Sequence, residues 1–170
     1  MNTPGRSVVL IGFMGAGKSA IGRELARRTK LTRHDTDELV RARFGGSIPE
    51  IFGQLGEEAF RNAETDVLRK LENNAGIIVV TGGGIVLREE NVRLLRSMGM
   101  IIWLDAAEEI LWQRASLRGN RPLLQTANPR EKFSALLRQR RSLYQTAAEH
   151  CIDTSKATIG DVANEIIRLL

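Results

Sequence analysis

A glycine-rich segment near the start of the chain constrains the fold more than any other feature. Residues Gly12–Ser19 fit the pattern G-x-x-x-x-G-K-[ST] and directly follow a short apolar run, Val8–Ile11. Glycines let successive backbone N–H groups curl around phosphate oxygens at the start of a helix. Lys18 can then reach the β- and γ-phosphates, and the Ser19 hydroxyl can ligate Mg²⁺. The segment predicts a strand, a loop and a helix that together bind ATP or GTP with magnesium.

The same letters overlap a second nucleotide-binding pattern. Residues Gly15–Ala20 also read G-x-G-x-x-A, the dinucleotide fingerprint, and Asp37 lies downstream at the distance of its acidic residue, about twenty positions. The loop alone does not exclude this interpretation. It leaves Gly12, Lys18 and Ser19 unexplained together, however, so the phosphate loop is favoured.

Length and charge indicate one domain with a small anionic ligand. The chain has 170 residues, of which 42% are hydrophobic, enough for one well-packed core and too few for two. The net charge is +5, yet the basic residues are scattered and mostly arginine. Arginine suits the capture of carboxylates and phosphates. We therefore expect a small-molecule partner and no nucleic-acid partner.

The cysteine content and the hydropathy bear on location. Cys151 is the only cysteine, so no internal disulfide is possible, and we expect it to be a small buried residue. No run approaches the roughly 18 apolar residues that a membrane-spanning helix needs. The sequence predicts a cytoplasmic protein without a membrane partner.

Apolar runs alternate with helical patterns, which predicts a single α/β domain over residues 1–170 with a largely parallel sheet. The predicted strands are Val8–Ile11, Leu31–His34, Ile77–Val80, Met100–Leu104 and His150–Ile152. The predicted helices cover residues 18–29, 37–44, 57–73, 89–97, 107–116, 130–148 and 158–169. Residues 117–129 lack periodicity and contain one glycine and two prolines, which is typical of a mobile lid.

Two acids follow the second predicted strand. Asp35 and Asp37 come at its carboxyl end, and in an open α/β sheet these ends face the ligand crevice. Asp35 is suited to hold Mg²⁺ through a water, and Asp37 to orient and deprotonate an attacking hydroxyl. The alternative for Asp37 is an N-cap of the next helix, and the motif alone does not decide between the two.

An arginine and a glutamate stand three residues apart on the predicted helix 57–73. Arg61 and Glu64 lie at the edge of an apolar stripe that includes Phe60. They form either a surface ion pair, worth on the order of a few tenths of a kcal/mol, or a unit in which Glu64 orients Arg61 toward a substrate carboxylate. Taken in isolation, the surface pair is the simpler interpretation.

Three consecutive glycines, Gly82, Gly83 and Gly84, follow the third predicted strand. They allow the backbone to approach a ligand closely and leave N–H groups free for an anion. A plain turn needs only one or two glycines, so a ligand-binding loop is favoured.

Charged residues in the second half of the chain complete the candidate set. Arg140 falls at the centre of an apolar stripe on the predicted helix 130–148, and an inward-pointing charge needs a partner. Arg114 lies on the helix that enters the lid and Arg121 within the lid, from which both can approach a nucleotide. Asp105 follows the fourth strand, but the sequence Asp-Ala-Ala-Glu that it begins resembles a capping box, which explains it without a metal.

Together these segments resemble the shikimate kinase family along nearly the full chain. The phosphate loop is the only specific segment by itself, but the order and spacing of the set make a strong match. The segments that carry the resemblance are Gly12–Ser19, Asp35–Asp37, Ser47-Ile48 with Ile51-Phe52, Gly56–Glu64, Thr81–Gly84, Arg121–Leu124 and Leu143-Tyr144.

The resemblance implies a three-layer phosphate-loop kinase fold with strand order 2-3-1-4-5. It also implies a monomer that transfers the γ-phosphoryl group of ATP to the 3-hydroxyl of shikimate, in aromatic amino acid biosynthesis. The implied catalytic residues are Lys18, Asp37 and Arg121. The residues implied to contact ATP are Gly15, Ala16, Gly17, Lys18, Ser19, Ala20, Arg114 and Arg121.

The resemblance further implies an acceptor site built mainly on residues 35–64. Ser19 and Asp35 would hold Mg²⁺. Arg61 and Arg140 would bind the shikimate carboxylate, with Glu64 orienting Arg61. The residues implied to bind shikimate are Asp37, Phe52, Phe60, Arg61, Gly82, Gly83, Gly84 and Arg140.

Two other functions remain open at this point. A small phosphate-loop kinase for gluconate or a nucleoside monophosphate would share the donor half and need a different acceptor pocket. A nucleotide-gated protein that binds RNA through its basic surface would show salt-dependent binding and no kinase turnover.

Overall fold

One parallel sheet organises the computed structural model, which describes residues 6–117 and 124–170. Its strand order is β2-β3-β1-β4-β5, as the family resemblance implies. The strands are β1 (Val8–Ile11), β2 (Thr32–Asp35), β3 (Ile77–Val80), β4 (Met100–Asp105) and β5 (His150–Asp153). The helices of the described ranges are α1 (Lys18–Thr29), α2 (Thr36–Phe44), α3 (Ile48–Leu71), α4 (Glu89–Met98), α5 (Glu108–Ser116), α6 (Pro129–Ala147) and α7 (Ile159–Leu169), with a short 3-10 helix at Ile85–Leu87.

The central strand is the most completely buried. All four residues of β1 are fully buried, and Val8 lies opposite both Ile78 of β3 and Met100 of β4. A strand that is covered on both faces needs such an unbroken apolar run. At the sheet edge, β5 buries only Ile152 and leaves Cys151 exposed. The prediction of a buried cysteine is therefore wrong, because an edge strand is covered less completely.

The third helix departs most from its prediction. It begins at Ile48 rather than at residue 57, although Gly56 (φ 81°, ψ 167°) interrupts it just before the predicted start. The unpredicted first part begins with a capping box, in which Ser47 and Glu50 satisfy each other's backbone N–H groups. The helix ends at Leu71, two residues before the predicted end, and the boundaries of the other helices and strands agree within one residue with those predicted.

The parallel arrangement places three candidate segments at one edge of the sheet. Because all five strands run in the same direction, the loops after β1, β2 and β3 leave from their shared carboxyl edge. These are the phosphate loop, the Asp35–Asp37 segment and the Gly82–Gly84 loop. The acids and glycines that are distant in sequence therefore meet around the start of α1.

Part of the predicted lid lies outside the described residues. Arg121 falls in this part, and so does most of the Arg121–Leu124 motif. On its two sides, Leu117 is highly exposed and α6 begins at Pro129. Within the described ranges, no helix combines the length and the apolar character needed to cross a membrane.

Two helical glycines provide a matched test of this packing. A Cβ at Gly22 of α1 would overlap Val80 of β3, whereas a Cβ at Gly53 of α3 would meet no atom within 4 Å. We expect Gly22→Ala to lower the free energy of unfolding by about 1–3 kcal/mol. Gly53→Ala should raise it by about 0.5–1 kcal/mol, because alanine favours a helix. Urea titrations measure both, and equal effects would contradict the close approach of α1 to β3.

Candidate active site

The phosphate loop wraps around the amino end of α1. Lys18 Nζ donates to the carbonyl oxygens of Gly12 (2.6 Å) and Phe13 (3.0 Å), which holds the ammonium group over the loop. The N-cap position is Gly17, with φ 89° and no side chain to occupy the first N–H groups of the helix. These N–H groups and the positive end of the helix dipole favour an anion at this point.

The two acids after β2 have separate positions. Asp35 Oδ1 accepts the backbone N–H groups of Asp37 (3.1 Å) and Glu38 (3.4 Å), so Asp35 is the N-cap of α2. The alternative that Asp37 caps this helix is wrong, and its side chain lines the cavity described below. Asp35 Oδ2 accepts from Ser19 Oγ at 3.5 Å and from Arg33 at 3.1 Å. Nothing in the sequence indicated a role for Arg33. It reaches Asp35 because residues two apart in a strand, here β2, lie on the same face.

The donor atoms near Ser19 and Asp35 suit magnesium. They are a hydroxyl and a carboxylate oxygen, and Mg²⁺ prefers oxygen ligands. Across the described ranges, no group of three or more His, Cys, Asp or Glu side chains is arranged to hold a metal by itself. A site with one carboxylate, one hydroxyl and the oxygens of substrate phosphates fits the way in which Mg²⁺ binds with nucleotides.

Arg61 and Glu64 form a buried ion pair. Arg61 Nη1 donates to Glu64 Oε2 at 2.6 Å, and the exposed fractions of the two side chains are 8% and 0%. On its other side, Arg61 donates from Nε and Nη2 to Glu57 Oε1. The interpretation as a surface pair is therefore wrong. Sequence spacing placed the pair at the edge of the apolar face, but the surrounding elements cover this edge.

The surroundings of Glu64 raise the pKa of its carboxyl group. Burial raises its pKa to about 7, while the neighbouring Arg61 lowers it and the carboxylate of Asp37 raises it further. Its second oxygen, Oε1, is buried and has no hydrogen-bond partner among the described residues. A Cβ on Gly82 would lie 3.0 Å from this oxygen and 2.6 Å from Asp37 Oδ1. The two carboxylates therefore converge on the glycine loop.

Arg140 projects from α6 into the same region. Its side chain is buried, and its guanidinium lies 5.8 Å from the ring centroid of Phe13 in the phosphate loop. The Nε atom of Arg140 has no partner within the described ranges. Nearby, Phe52 and Phe60 of α3 pack with their ring centroids 4.7 Å apart. The site thus combines two buried guanidinium groups with an aromatic wall.

Arg114 lies on the opposite side, near the phosphate loop. Its Nη1 donates to Thr154 Oγ1 at 3.0 Å and its Nη2 to the Thr154 carbonyl at 2.8 Å. The Thr154 hydroxyl also donates to the carbonyl of Ala16, at 3.5 Å. These contacts connect α5 and the segment after β5 to the phosphate loop.

Asp105 does not cap a helix. The N-cap of α5 is Ala107, and Asp105 is instead the last residue of β4. Its carboxylate accepts three hydrogen bonds from Arg141 of α6, the shortest at 3.0 Å. The capping-box prediction is wrong because the helix begins later and Arg141 is available in the folded chain.

These side chains surround one cavity of about 360 Å³, within the range of small-molecule sites. Most of the predicted site residues line it. They are Gly15, Gly17, Lys18, Ser19, Asp35, Asp37, Phe52, Phe60, Arg61, Gly82, Gly83, Gly84, Arg114 and Arg140.

The predicted site residues and the residues that line the cavity differ in both directions. Ala16 and Ala20 are not among the residues that line it, and Arg121 lies outside the described part of the chain. The lining residues that were not predicted are Met14, Ile48, Glu64, Thr81 and Leu117, although Glu64 was expected to orient Arg61. Their position in or beside the recognised motifs was the available signal.

The fold and the cavity define a phosphate-loop kinase that acts on a small molecule. The sequence model of the shikimate kinase family matches residues 14–170. The chain belongs to the shikimate kinase family.

Relatives and solved structures agree with this assignment. The chain is 41% identical to a shikimate kinase of Cupriavidus pinatubonensis, over 100% of this chain and 88% of the relative. It is 44% identical to that of Thioalkalivibrio sulfidiphilus, over 95% and 85%. It is also similar to the structure of shikimate kinase from Acinetobacter baumannii in complex with shikimate. The TM-score is 0.92 and the identity 36%, over 96% of this chain and 92% of that one.

The protonation of Glu64 should make stability depend on pH. Because its pKa is about 7 in the folded protein and 4.5 ordinarily, the native state binds more protons between these values. As the pH rises from 4.5 to about 7, the free energy of unfolding of wild type should therefore fall relative to that of Glu64→Gln. Above this range, the difference between the two proteins should stay constant. Urea titrations of both proteins at several pH values measure the difference. A difference that stays flat or grows with pH contradicts the raised pKa.

Proposed function

We propose that this cavity is where the protein transfers the γ-phosphoryl group of ATP to the 3-hydroxyl of shikimate, giving shikimate 3-phosphate and ADP. The activity follows from the family. The observation that carries the site assignment is that two buried arginines, Arg61 and Arg140, line the same cavity as the phosphate loop. A planar carboxylate matches the guanidinium fork, so these residues suit an acceptor that carries a carboxylate.

The donor half of the site aligns and neutralises the phosphates. The backbone N–H groups from Gly15 to Ala20 and the ammonium of Lys18 bind phosphate oxygens, and Arg114 contacts the adenine side. We assign Arg121, which lies outside the described residues, to the same phosphates. Phosphoryl transfer requires mainly alignment and charge stabilisation, which this set of cations supplies. Ser19 directly, and Asp35 through a water, would hold Mg²⁺, which would supply neutralisation of charge on the phosphates.

The acceptor half orients shikimate and removes a proton. Arg61 and Arg140 bind its carboxylate, while Glu64 and Glu57 hold the guanidinium of Arg61 on two sides. The backbone of Gly82–Gly84 contacts the substrate, and the rings of Phe52 and Phe60 pack against it. Asp37 binds the reacting hydroxyl and accepts its proton as the bond to phosphorus forms. The burial of these groups strengthens each charge interaction.

We further propose one domain over residues 1–170, acting as a cytoplasmic monomer with a lid over about residues 117–129 and no nucleic-acid or membrane partner. All predicted acceptor residues line a cavity within one copy of the chain, so no second copy is needed to complete it. The single cysteine is compatible with a reducing compartment. Light scattering in solution tests the monomer directly.

A coupled assay of ADP release tests the substrate. We expect Mg²⁺-dependent ADP formation with shikimate and little with gluconate or AMP, because only shikimate fits both the carboxylate site and the aromatic wall. Release of ADP with gluconate or AMP but not with shikimate would overturn the proposal. Binding of RNA that changes with ATP, in a protein without turnover, would favour the nucleotide-gated alternative.

Replacing Arg61 by lysine tests the carboxylate site. Arg61→Lys keeps the charge beside Glu64 but loses the bidentate fork. We expect shikimate affinity to fall by roughly 10- to 100-fold, as for loss of a hydrogen bond between charged groups, while ADP affinity is kept. Calorimetry measures both. Arg69→Lys is the matched control, since Arg69 lies on the same helix and pairs with Asp66 and Glu90 at the surface.

Replacing Asp37 by asparagine tests the proposed catalytic base. It removes the proposed base and keeps the size of the side chain, so turnover should fall by about 10²- to 10⁴-fold with nucleotide binding retained. Unchanged shikimate affinity in Arg61→Lys, or near-normal turnover in a folded Asp37→Asn, would show that the corresponding role is wrong.

A further inference from the structure

Tyr144 is a buried polar residue that the proposed reaction does not use. It lies on α6 with an exposed fraction of 0%, and its ring stacks on Trp103 of β4 at a centroid distance of 6.1 Å. Its hydroxyl donates a hydrogen bond to the carbonyl oxygen of Gly83. Burial raises the pKa of this hydroxyl well above its usual value, so it stays protonated and remains a donor.

We propose that Tyr144 is a positioning residue for the acceptor: its hydroxyl fixes the peptide between Gly83 and Gly84 and so directs the Gly84 N–H into the cavity beside Arg61. The proposal rests on the proposed function, in which this glycine loop contacts shikimate.

Peptide geometry gives the direction of that N–H group. In a planar trans peptide the C=O of one residue and the N–H of the next point in opposite directions. Because the Gly83 carbonyl points to Tyr144, the Gly84 N–H points away from it. Gly83 and Gly84 line the cavity, whereas Tyr144 is buried behind them. The N–H therefore faces the cavity, where a Cβ on Gly84 would overlap the guanidinium of Arg61.

Three consecutive glycines need restraint, because glycine has more conformational freedom than any other residue. The first peptide of the loop is fixed where the Gly82 N–H donates to Thr36 Oγ1 at 3.1 Å. The Gly82 carbonyl accepts from Ile85 at 3.2 Å. Tyr144 supplies the corresponding restraint for the peptide that follows Gly83. Without it, this peptide can rotate at little steric cost.

The tyrosine hydroxyl also connects the loop to other parts of the site. It interacts with Arg140, which lies one helical turn earlier on α6. A Cβ on Gly83 would lie 3.6 Å from this hydroxyl, 3.6 Å from the Gly12 carbonyl oxygen and 3.7 Å from the Met14 nitrogen. Gly83 is thus packed between Tyr144 and the phosphate loop. The Tyr144 hydroxyl therefore interacts both with the glycine loop and with Arg140, which is proposed to bind the shikimate carboxylate.

Tyr144→Phe tests the proposal because it removes only the hydroxyl and keeps the stacked ring. We expect shikimate to bind about 5- to 10-fold more weakly, the usual effect of one hydrogen bond, with ADP affinity unchanged. Amide hydrogen exchange at Gly84 should become faster. Val162→Ala, a core truncation on α7, is the control for general destabilisation and should leave both affinities unchanged.

The outcomes separate the proposals. Loss of thermal stability in Tyr144→Phe with normal shikimate affinity would mean that the hydroxyl only stabilises the fold, and would overturn the positioning role. Equal weakening of shikimate and ADP would also overturn it. Failure of wild type to bind shikimate would instead overturn the proposed function, and the Tyr144 role with it.

A second measurement does not depend on the variant folding. Tyr144 is the only tyrosine in the chain, so incorporation of 3-fluorotyrosine labels this position alone. Its single fluorine resonance should shift when shikimate binds and change much less with ADP. A resonance that does not respond to shikimate, in a protein that binds it, contradicts the proposal.

Discussion

The close approach of the phosphate loop to β4 and α5 is the constraint on which both halves of the site depend. Gly12 and Gly15 have φ values of 144° and 86°, and a Cβ at either would overlap the backbone carbonyl of Leu104 or Leu111. At these two positions the backbone of the loop lies directly against the backbone of the neighbouring element. The loop is therefore held in one position, with its Phe13 ring next to the guanidinium of Arg140. The groups proposed to bind ATP and those proposed to bind shikimate are therefore both positioned relative to the phosphate loop.

The acceptor half retains charges that the fold alone does not satisfy. Glu64 Oε1 and Arg140 Nε are buried and, among the described residues, have no hydrogen-bond partner. Buried polar groups without partners reduce stability, and a buried ion pair such as Arg61–Glu64 is weak evidence for a stabilising role. Under the proposed function, Arg140 is a preorganised contact for the substrate carboxylate, and Glu64 orients Arg61 for the same contact. The large apolar core offsets their cost.

Some helices and strands could be predicted from the sequence more accurately than others, and the reasons are physical. The runs Val8–Ile11 and Ile77–Val80 were recognised because central parallel strands are buried on both faces and must be apolar. The first part of α3 was missed although Ile48, Ile51, Phe52 and Leu55 have helical spacing, because Pro49, Gly53 and Gly56 break up this short segment. The capping box of Ser47 and Glu50 was a second signal for a helix in that segment.

The sequence by itself determined the local units: the phosphate loop, the strand and helix positions, and the motifs that indicate a kinase. These features depend on backbone preferences and periodicities that act within a few residues. The tertiary structure decided which charges are buried and with what they pair. Arg61 and Glu64 are buried by their surroundings, and Asp105 pairs with Arg141 rather than capping a helix. Burial and long-range pairing depend on segments that meet only when the parallel sheet has assembled.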